Sequence, residues 1–360
     1  MGKTPLYDQH VLLGAKLTDF FGWQMPLHYG SQIEEHHIVR KDSGMFDVSH
    51  MTVVDILGAG GRQFLRYLLA NDIDSLTQGK ALYSCMLNQH GGVIDDLIVY
   101  SRSFDNYRLV LNAATREKDL NWLQEKAQGF SVGLLERQDL VILAVQGPKA
   151  IEKVLQAVSP AQMDSISTLQ PFEGVDIADW FVARTGYTGE DGLEMIVPKD
   201  HVNDLWSQLI AYEVTPCGLG ARDSLRLEAG MMLYGQDMDE TTTPLESGLN
   251  WTVKLDKEDR DFIGRGALLA QKQHGINMKM VGLVLEGKGI LRPGQKVLSD
   301  SNEEGVITSG GFSPSLGKSI AFARVPKALG AQAQVEIRGK LLPVKVTKPR
   351  FIQKGKIIDY

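Results

Sequence analysis

The stretch Gly91-Gly92-Val93-Ile94-Asp95-Asp96-Leu97-Ile98-Val99-Tyr100 constrains the fold of this chain more than any other. Asn88-Gln89-His90-Gly91-Gly92 supplies a turn, and Val, Ile and Tyr favour the pleated conformation, so the segment predicts a β-strand entered from a glycine turn. Successive strand side chains point to opposite faces. Asp96 therefore shares one face with Ile94, Ile98 and Tyr100, and Asp95 the other with Val93, Leu97 and Val99. Neither face is polar enough to solvate a carboxylate, and a charge among apolar neighbours is costly unless it is paired or hydrogen-bonded. Each aspartate either satisfies backbone donors of the hairpin or serves a site that needs it.

At 360 residues the chain exceeds one ordinary core and predicts about two or three domains. The 43% apolar and 23% charged residues place it among ordinary soluble globular proteins. Cys85 and Cys217 make no disulfide framework and no Cys-x-x-Cys pair, so a reducing, cytoplasmic compartment is the expectation. Asp8 and Asp19 interrupt the first residues, which leaves no signal-peptide core, and no apolar run reaches the roughly 18 residues a spanning helix needs. The net charge of −6 hides an asymmetry. Residues 311–360 carry ten Lys and Arg against Glu336 and Asp359, about +8, and the remainder is about −14. This basic region lacks interleaved stacking aromatics and any nucleic-acid-binding motif, so it points to an acidic protein or a polyanionic small molecule rather than to nucleic acid.

Ser31 predicts the cap of a helix running to about Asp42, with Glu34 completing a capping box. The run Glu34-Glu35-His36-His37 has the residue types of a metal site. Adjacent helical residues diverge by about 100°, and the spaced His pair that zinc requires is absent, so no metal is expected. The segment Gly58-Ala59-Gly60-Gly61 follows a strand at 52–57 and precedes a helix at 64–69. The third fingerprint glycine would fall at Gln63, so a tight turn is the reading, not a dinucleotide site. Strands at 82–87, 93–100 and 107–112 and a helix at 116–128 are followed by a second strand, turn, strand and helix over 179–212. Asp119-Leu120 and Trp122 correspond loosely to Asp204-Leu205-Trp206, which indicates a weak internal duplication. The fold class expected is α+β: two pseudo-repeated antiparallel-sheet-plus-helix lobes, with short β runs from Met280 onward forming a small C-terminal barrel. A helix from about Gly220 places Arg222 and Arg226 on one face among Asp223, Ser224 and Glu228. An exposed, salt-bridged helix is the plain alternative to a functional one.

Five motifs in one order now carry a resemblance. They are Phe46-Asp47-Val48-Ser49-His50-Met51, Gly91-Gly92-x-x-Asp95-Asp96-Leu97-Ile98-Val99, Gly186-Tyr187-Thr188-Gly189-Glu190-Asp191-Gly192-x-Glu194, Gly220-Ala221-Arg222-Asp223-Ser224-Leu225-Arg226-Leu227-Glu228 and Thr308-Ser309-Gly310. Together they resemble the aminomethyltransferase family, the T-protein of the glycine cleavage system, over essentially the whole chain. The Lys-Gly-Cys-Tyr signature of the folate-binding iron–sulfur repair relative is missing, and no flavin domain precedes the region, unlike in the sarcosine and dimethylglycine dehydrogenases.

The resemblance implies a folate-binding catalytic region over 1–275 made of two intertwined α+β lobes, and a β-barrel domain over 276–360. It implies transfer of a one-carbon unit from the aminomethyl-lipoyl arm of the H-protein to tetrahydrofolate, the co-substrate, without a metal. Asp96 would be the catalytic carboxylate. Glu194 and Arg222 would hold folate, and Tyr83, Asn112, Tyr187, Tyr234 and Met51 would line the pocket. The competing expectation is a non-catalytic folate-binding regulator on the same scaffold, against which the retention of Asp96 argues.

Overall fold

Asn88 builds the turn ahead of the central strand. Its Oδ1 accepts from the backbone N–H groups of His90 at 2.9 Å and Gly92 at 3.0 Å, and its amide donates to the Glu240 carbonyl at 2.9 Å. Gly92 lies against that same carbonyl, where a Cβ would have no room, so only glycine fits. The strand runs Val93–Ser103. Val93, Asp95, Leu97 and Val99 are buried on one face, whereas Asp96 and Ile98 on the other are partly exposed. In this computed structural model, which describes residues 1–103, 105–299 and 304–358, the strand is second in a five-stranded sheet. The order is Ala81–Leu87, Val93–Ser103, Asn106–Leu111, Thr52–Leu57, Gly133–Glu136. The expected turn at 103–106 contains Phe104, and the basic C-terminal count includes Asp359; both residues lie outside those described.

The chain divides into two units that alternate along the sequence. The first comprises Met1–Phe64, Ile73–Tyr83 and Leu97–Leu225. Its larger sheet orders Gly174–Ile177, Trp180–Ala183, Gly192–Pro198, Leu140–Gln146, Gly44–Asp47 and Thr215–Pro216. Leu140–Gln146 is buried at every residue because both faces are covered. Val141, Leu143 and Val145 join one core with Trp206 and Leu209, and Ile142 and Ala144 join another with Phe181 and Ile196. In the five-stranded sheet Asp55 pairs across strands with Arg108 in a buried two-point ion pair of 2.7 and 2.8 Å. Arg102 and Arg137 reach the same carboxylate.

The first 28 residues, most of which the sequence presents as short apolar pieces, form a helix, Tyr7–Leu12, and strands Gly2–Lys3, Lys16–Phe20 and Trp23–His28. Thr4 Oγ1 donates to Asp47 Oδ2 at 2.6 Å, and His10 Nε2 lies 2.9 Å from the same oxygen. Burial works against the Asp47 charge, but bonds from His10, Ser49 and Thr4 outweigh it and hold the carboxyl below the usual aspartate range. The helix Leu219–Ala229 is not the exposed, salt-bridged rod of the plain reading. Ala221, Leu225, Leu227 and Ala229 are buried, and so are the charged Arg226 and Glu228.

The second unit comprises Leu65–Asp72, Ser84–Asp96 and Arg226–Tyr360. Its barrel closes antiparallel in the order Met278–Leu285, Lys318–Pro326, Glu304–Ser313, Lys296–Leu298, Gln332–Ile337, Lys340–Thr347. Alternation along each strand sends Val281, Leu283, Val297, Ile307, Ala321 and Val335 into one core. Arg226 is neutralised inside this unit by Asp237 at 3.1 Å, and Asp237 also accepts from Thr308 and Ser309. Arg260 ties Leu65–Asp72 into the same unit by donating to the carbonyls of Leu69, Ala70 and Asn71. Cys85 and Cys217 are buried free thiols. Among the described residues no helix is long and apolar enough to cross a membrane.

Candidate functional site

Strand alternation sets Glu194. In Gly192–Pro198 the side chains of Leu193, Met195 and Val197 enter the core, so Glu194 points to the other face, opposite Ala144. One carboxylate oxygen accepts from Thr185 Oγ1 at 2.6 Å. Thr185 has thereby spent its proton, so the Tyr100 hydroxyl, 3.0 Å away, donates to it and completes a relay of Tyr100, Thr185 and Glu194. Burial raises the Glu194 pKa, and neither the Thr185 bond nor the nearby Arg222 charge cancels the rise.

Arg222 comes from the helix Leu219–Ala229, and its guanidinium carbon stands 4.6 Å from the centre of the Tyr187 ring. Tyr187 lies in the loop before Gly192, where Gln146 fixes the backbone. Gln146 donates to the Thr185 carbonyl at 3.0 Å and accepts from Thr188 Oγ1 at 2.8 Å. Gly186 packs directly on the Gln146 amide, so a side chain there would displace it. The result is a carboxylate, a cation and an aromatic face within one unit, a set that can accept from a donor-rich heterocyclic edge and stack or fork onto a planar one.

His50 belongs to this group, and the sequence reading did not single it out although it stands beside Met51 in one of the quoted motifs. It is buried, its ring meets Phe20 edge-on at 5.3 Å, and its Nδ1 has no hydrogen-bond partner among the described residues. Burial and then the Arg222 charge push its pKa down to about 3, against the opposite pull of Asp47. His50 is therefore a neutral imidazole beside a cation. Thr185 and Tyr100 were missed as well, because hydroxyl relays leave no spacing signature.

Met51 is partly buried and packs on the core that holds Val48, Val53 and Val110. Asn112 follows the strand Asn106–Leu111, and Tyr83 is part-exposed in Ala81–Leu87; both belong to the first unit. Asp96 and Tyr234 belong to the second unit. Arg222 thus stands on the Tyr187 ring, and its charge reaches Glu194. The two aspartates differ as strand alternation requires: Asp95 is fully buried among Val93, Leu97 and Val99, and Asp96 is partly exposed.

The family profile described as the GCVT N-terminal domain matches residues 6–257. The one described as the glycine cleavage T-protein C-terminal barrel domain matches residues 279–353. This chain belongs to the glycine cleavage T-protein family. It is 66% identical over 355 residues to an aminomethyltransferase of Legionella pneumophila (strain Lens), with 98% of this chain and 99% of that one covered. An aminomethyltransferase of Chromobacterium violaceum is 57% identical with 98% of each chain covered. The crystal structure of glycine cleavage system aminomethyltransferase T from Bartonella henselae superposes with a TM-score of 0.92 at 35% identity, covering 99% of both chains. Glu194, Arg222, Tyr187 and His50 all fall within the residues that the N-terminal family profile matches.

Proposed function

We infer that this chain is the aminomethyltransferase of a glycine cleavage system, acting in the cytoplasm. It takes the aminomethyl group from the lipoyl arm of the H-protein and gives 5,10-methylenetetrahydrofolate, ammonia and dihydrolipoyl H-protein. The atoms balance without a redox partner. The carbon–sulfur and carbon–nitrogen bonds of the adduct break, and bonds to folate N5 and N10 form. The two folate N–H protons leave as the third hydrogen of ammonia and the thiol hydrogen of the lipoyl arm.

The observation that carries the folate reading is Arg222 stacked on Tyr187 with its charge felt by the buried Glu194. Pterin presents a 2-amino/N3 donor edge that suits Glu194, and the Arg222 fork suits a planar acceptor of the same ligand. Met51, Tyr83, Asn112 and Tyr234 are proposed as further pocket lining. Residues 1–275 are proposed as the folate-binding region and 276–360 as the barrel domain. Asp96 is proposed as the catalytic carboxylate. Loss of ammonia leaves an electron-poor, iminium-like carbon, and the carboxylate of Asp96 stabilises that cation or takes a proton from the folate amine.

Calorimetry of tetrahydrofolate binding tests the folate reading. Glu194→Gln and Arg222→Ala should each weaken binding by about 1.5–3 kcal/mol, the range for a hydrogen bond to a charged group. Wild-type affinity in both variants would refute it.

A further inference from the structure

The run Glu34-Glu35-His36-His37 has the residue types of a metal site, and the structure gives three of the polar groups around it other work. The helix Gln32–Lys41 starts at Ser31, whose Oγ accepts from the Glu34 N–H. Its buried face carries Glu35, His36 and Val39, and Arg40 lies four residues after His36 on the same side.

Each polar member of that face reaches the elements that carry Arg222 or Tyr187. Glu35 Oε2 accepts from the Gly218 N–H at 2.9 Å, at the start of Leu219–Ala229, where a carboxylate complements the helix dipole. His36 Nδ1 lies 2.7 Å from Ser224 Oγ; because Ser224 donates to the Ala221 carbonyl, the imidazole supplies the proton. Arg40 makes the widest span. Its Nη1 donates to the Thr188 carbonyl at 2.7 Å and to Glu190 Oε1 at 2.8 Å, and its Nη2 donates to the Leu225 carbonyl at 3.2 Å. The Arg40 and Glu190 side chains are only 6% and 5% exposed, so solvent screens the pair little.

Thr188 follows Tyr187, and Leu225 lies three residues after Arg222. One guanidinium therefore fastens the loop that carries the ring and the helix that carries the cation. We propose that Arg40, with Glu190, is the positioning residue that fixes Tyr187 against Arg222, and that the Gln32–Lys41 helix is the template on which the folate-binding pair is set. The proposal rests on the reading that Arg222 and Tyr187 hold folate. The planar fork sets Nη1 toward Thr188 and Glu190 and Nη2 toward Leu225, a separation that the one nitrogen of lysine lacks.

A double-mutant cycle tests it, with tetrahydrofolate affinity measured by calorimetry on the full chain. Arg40→Lys should weaken binding about tenfold, and so should Glu190→Gln, which keeps the shape and removes the charge. If Arg40 acts through Arg222, then neither change should weaken binding further in an Arg222→Ala background. Glu190→Gln keeps the cycle decisive should Arg40→Lys fold poorly. Losses that add to that of Arg222→Ala, or wild-type affinity in the two single variants, would overturn the proposal alone. Wild-type affinity in Arg222→Ala would overturn the folate reading, and the proposal with it.

Discussion

Replacing His50 by Gln isolates the electrostatics of the site from its chemistry. The native imidazole faces Arg222 and Asp47 and is held neutral, with its pKa pushed down to about 3 from the ordinary 6.5 by burial and the Arg222 charge. The unfolded chain therefore binds a proton at pH values where the native chain does not, so stability is complete above about 6.5 and is lost as pH falls through the window down to about 3. Each pH unit in that window is worth about 1.4 kcal/mol, so acidification from pH 7 to pH 5 should cost about 2 kcal/mol through this residue. For a unit of this size that lowers the melting temperature by roughly 4–8 °C. Glutamine cannot be protonated, and the remaining titrating groups are common to both proteins. The difference between the two melting curves across that range should then shrink by about 2 kcal/mol as the pH falls. Parallel pH dependence in the two proteins would mean that His50 ionises in the native state, and the arrangement of neutral imidazole beside Arg222 would be refuted.

Other consequences are separately measurable. Asp55→Ala leaves Arg108, which is 2% exposed, without its two-point partner, and should destabilise the fold by about 3–5 kcal/mol in chemical denaturation. An unchanged midpoint would mean that Arg108 needs no carboxylate partner in this sheet. Folate affinity should fall on acidification at a pH above the ordinary 4.5 of a glutamate, because burial raises the Glu194 pKa and the protonated group loses an acceptor. Glu194→Gln should abolish that dependence in calorimetry. The basic residues after Gly311 motivate a docking role toward an acidic lipoyl carrier. Screening shortens such steering to about 8 Å at physiological ionic strength, so the KM for H-protein should rise with salt more than that for folate. Equal responses would remove the docking role.

The parts of the fold that were legible in the sequence are those written in local periodicity. Thr52–Leu57 and Leu140–Gln146 read directly from their β-branched and apolar runs, and the Ser31 cap announced the helix Gln32–Lys41. The barrel was visible in its short, turn-separated strands. The helices Ala150–Ala157, Pro160–Ser167 and Arg265–His274 were not foreseen, and neither was the N-terminal sheet. Those pieces are short, and Lys16–Phe20 keeps little of itself in the core, so tertiary pairing decides them more than pattern does.

At the candidate site, motif order singled out Glu194, Arg222 and Tyr187, of which Arg222 and Tyr187 meet in the structure, and strand alternation separated Asp95 from Asp96. The supports around them were illegible. His36 meets Ser224 across 188 residues of chain and Arg40 meets Glu190 across 150, and no spacing rule reaches that far. The helix Leu219–Ala229 shows the same limit, since its charges read as an exposed face until their buried partners, Asp237 for Arg226 and Ser313 for Glu228, are known.

Asp96 is proposed to carry one-carbon transfer to folate. A single-turnover reaction of aminomethyl-loaded H-protein with tetrahydrofolate, following ammonia and methylenetetrahydrofolate together, tests it most directly. The wild-type chain should release the two products in equal amounts. Asp96→Asn, which keeps the shape and removes the charge, should slow both by roughly 10²–10⁴. Asp95→Asn should lower the melting temperature and leave the rate near wild type. Near-full turnover by Asp96→Asn, or an exchange of behaviour between the two variants, would contradict the assignment.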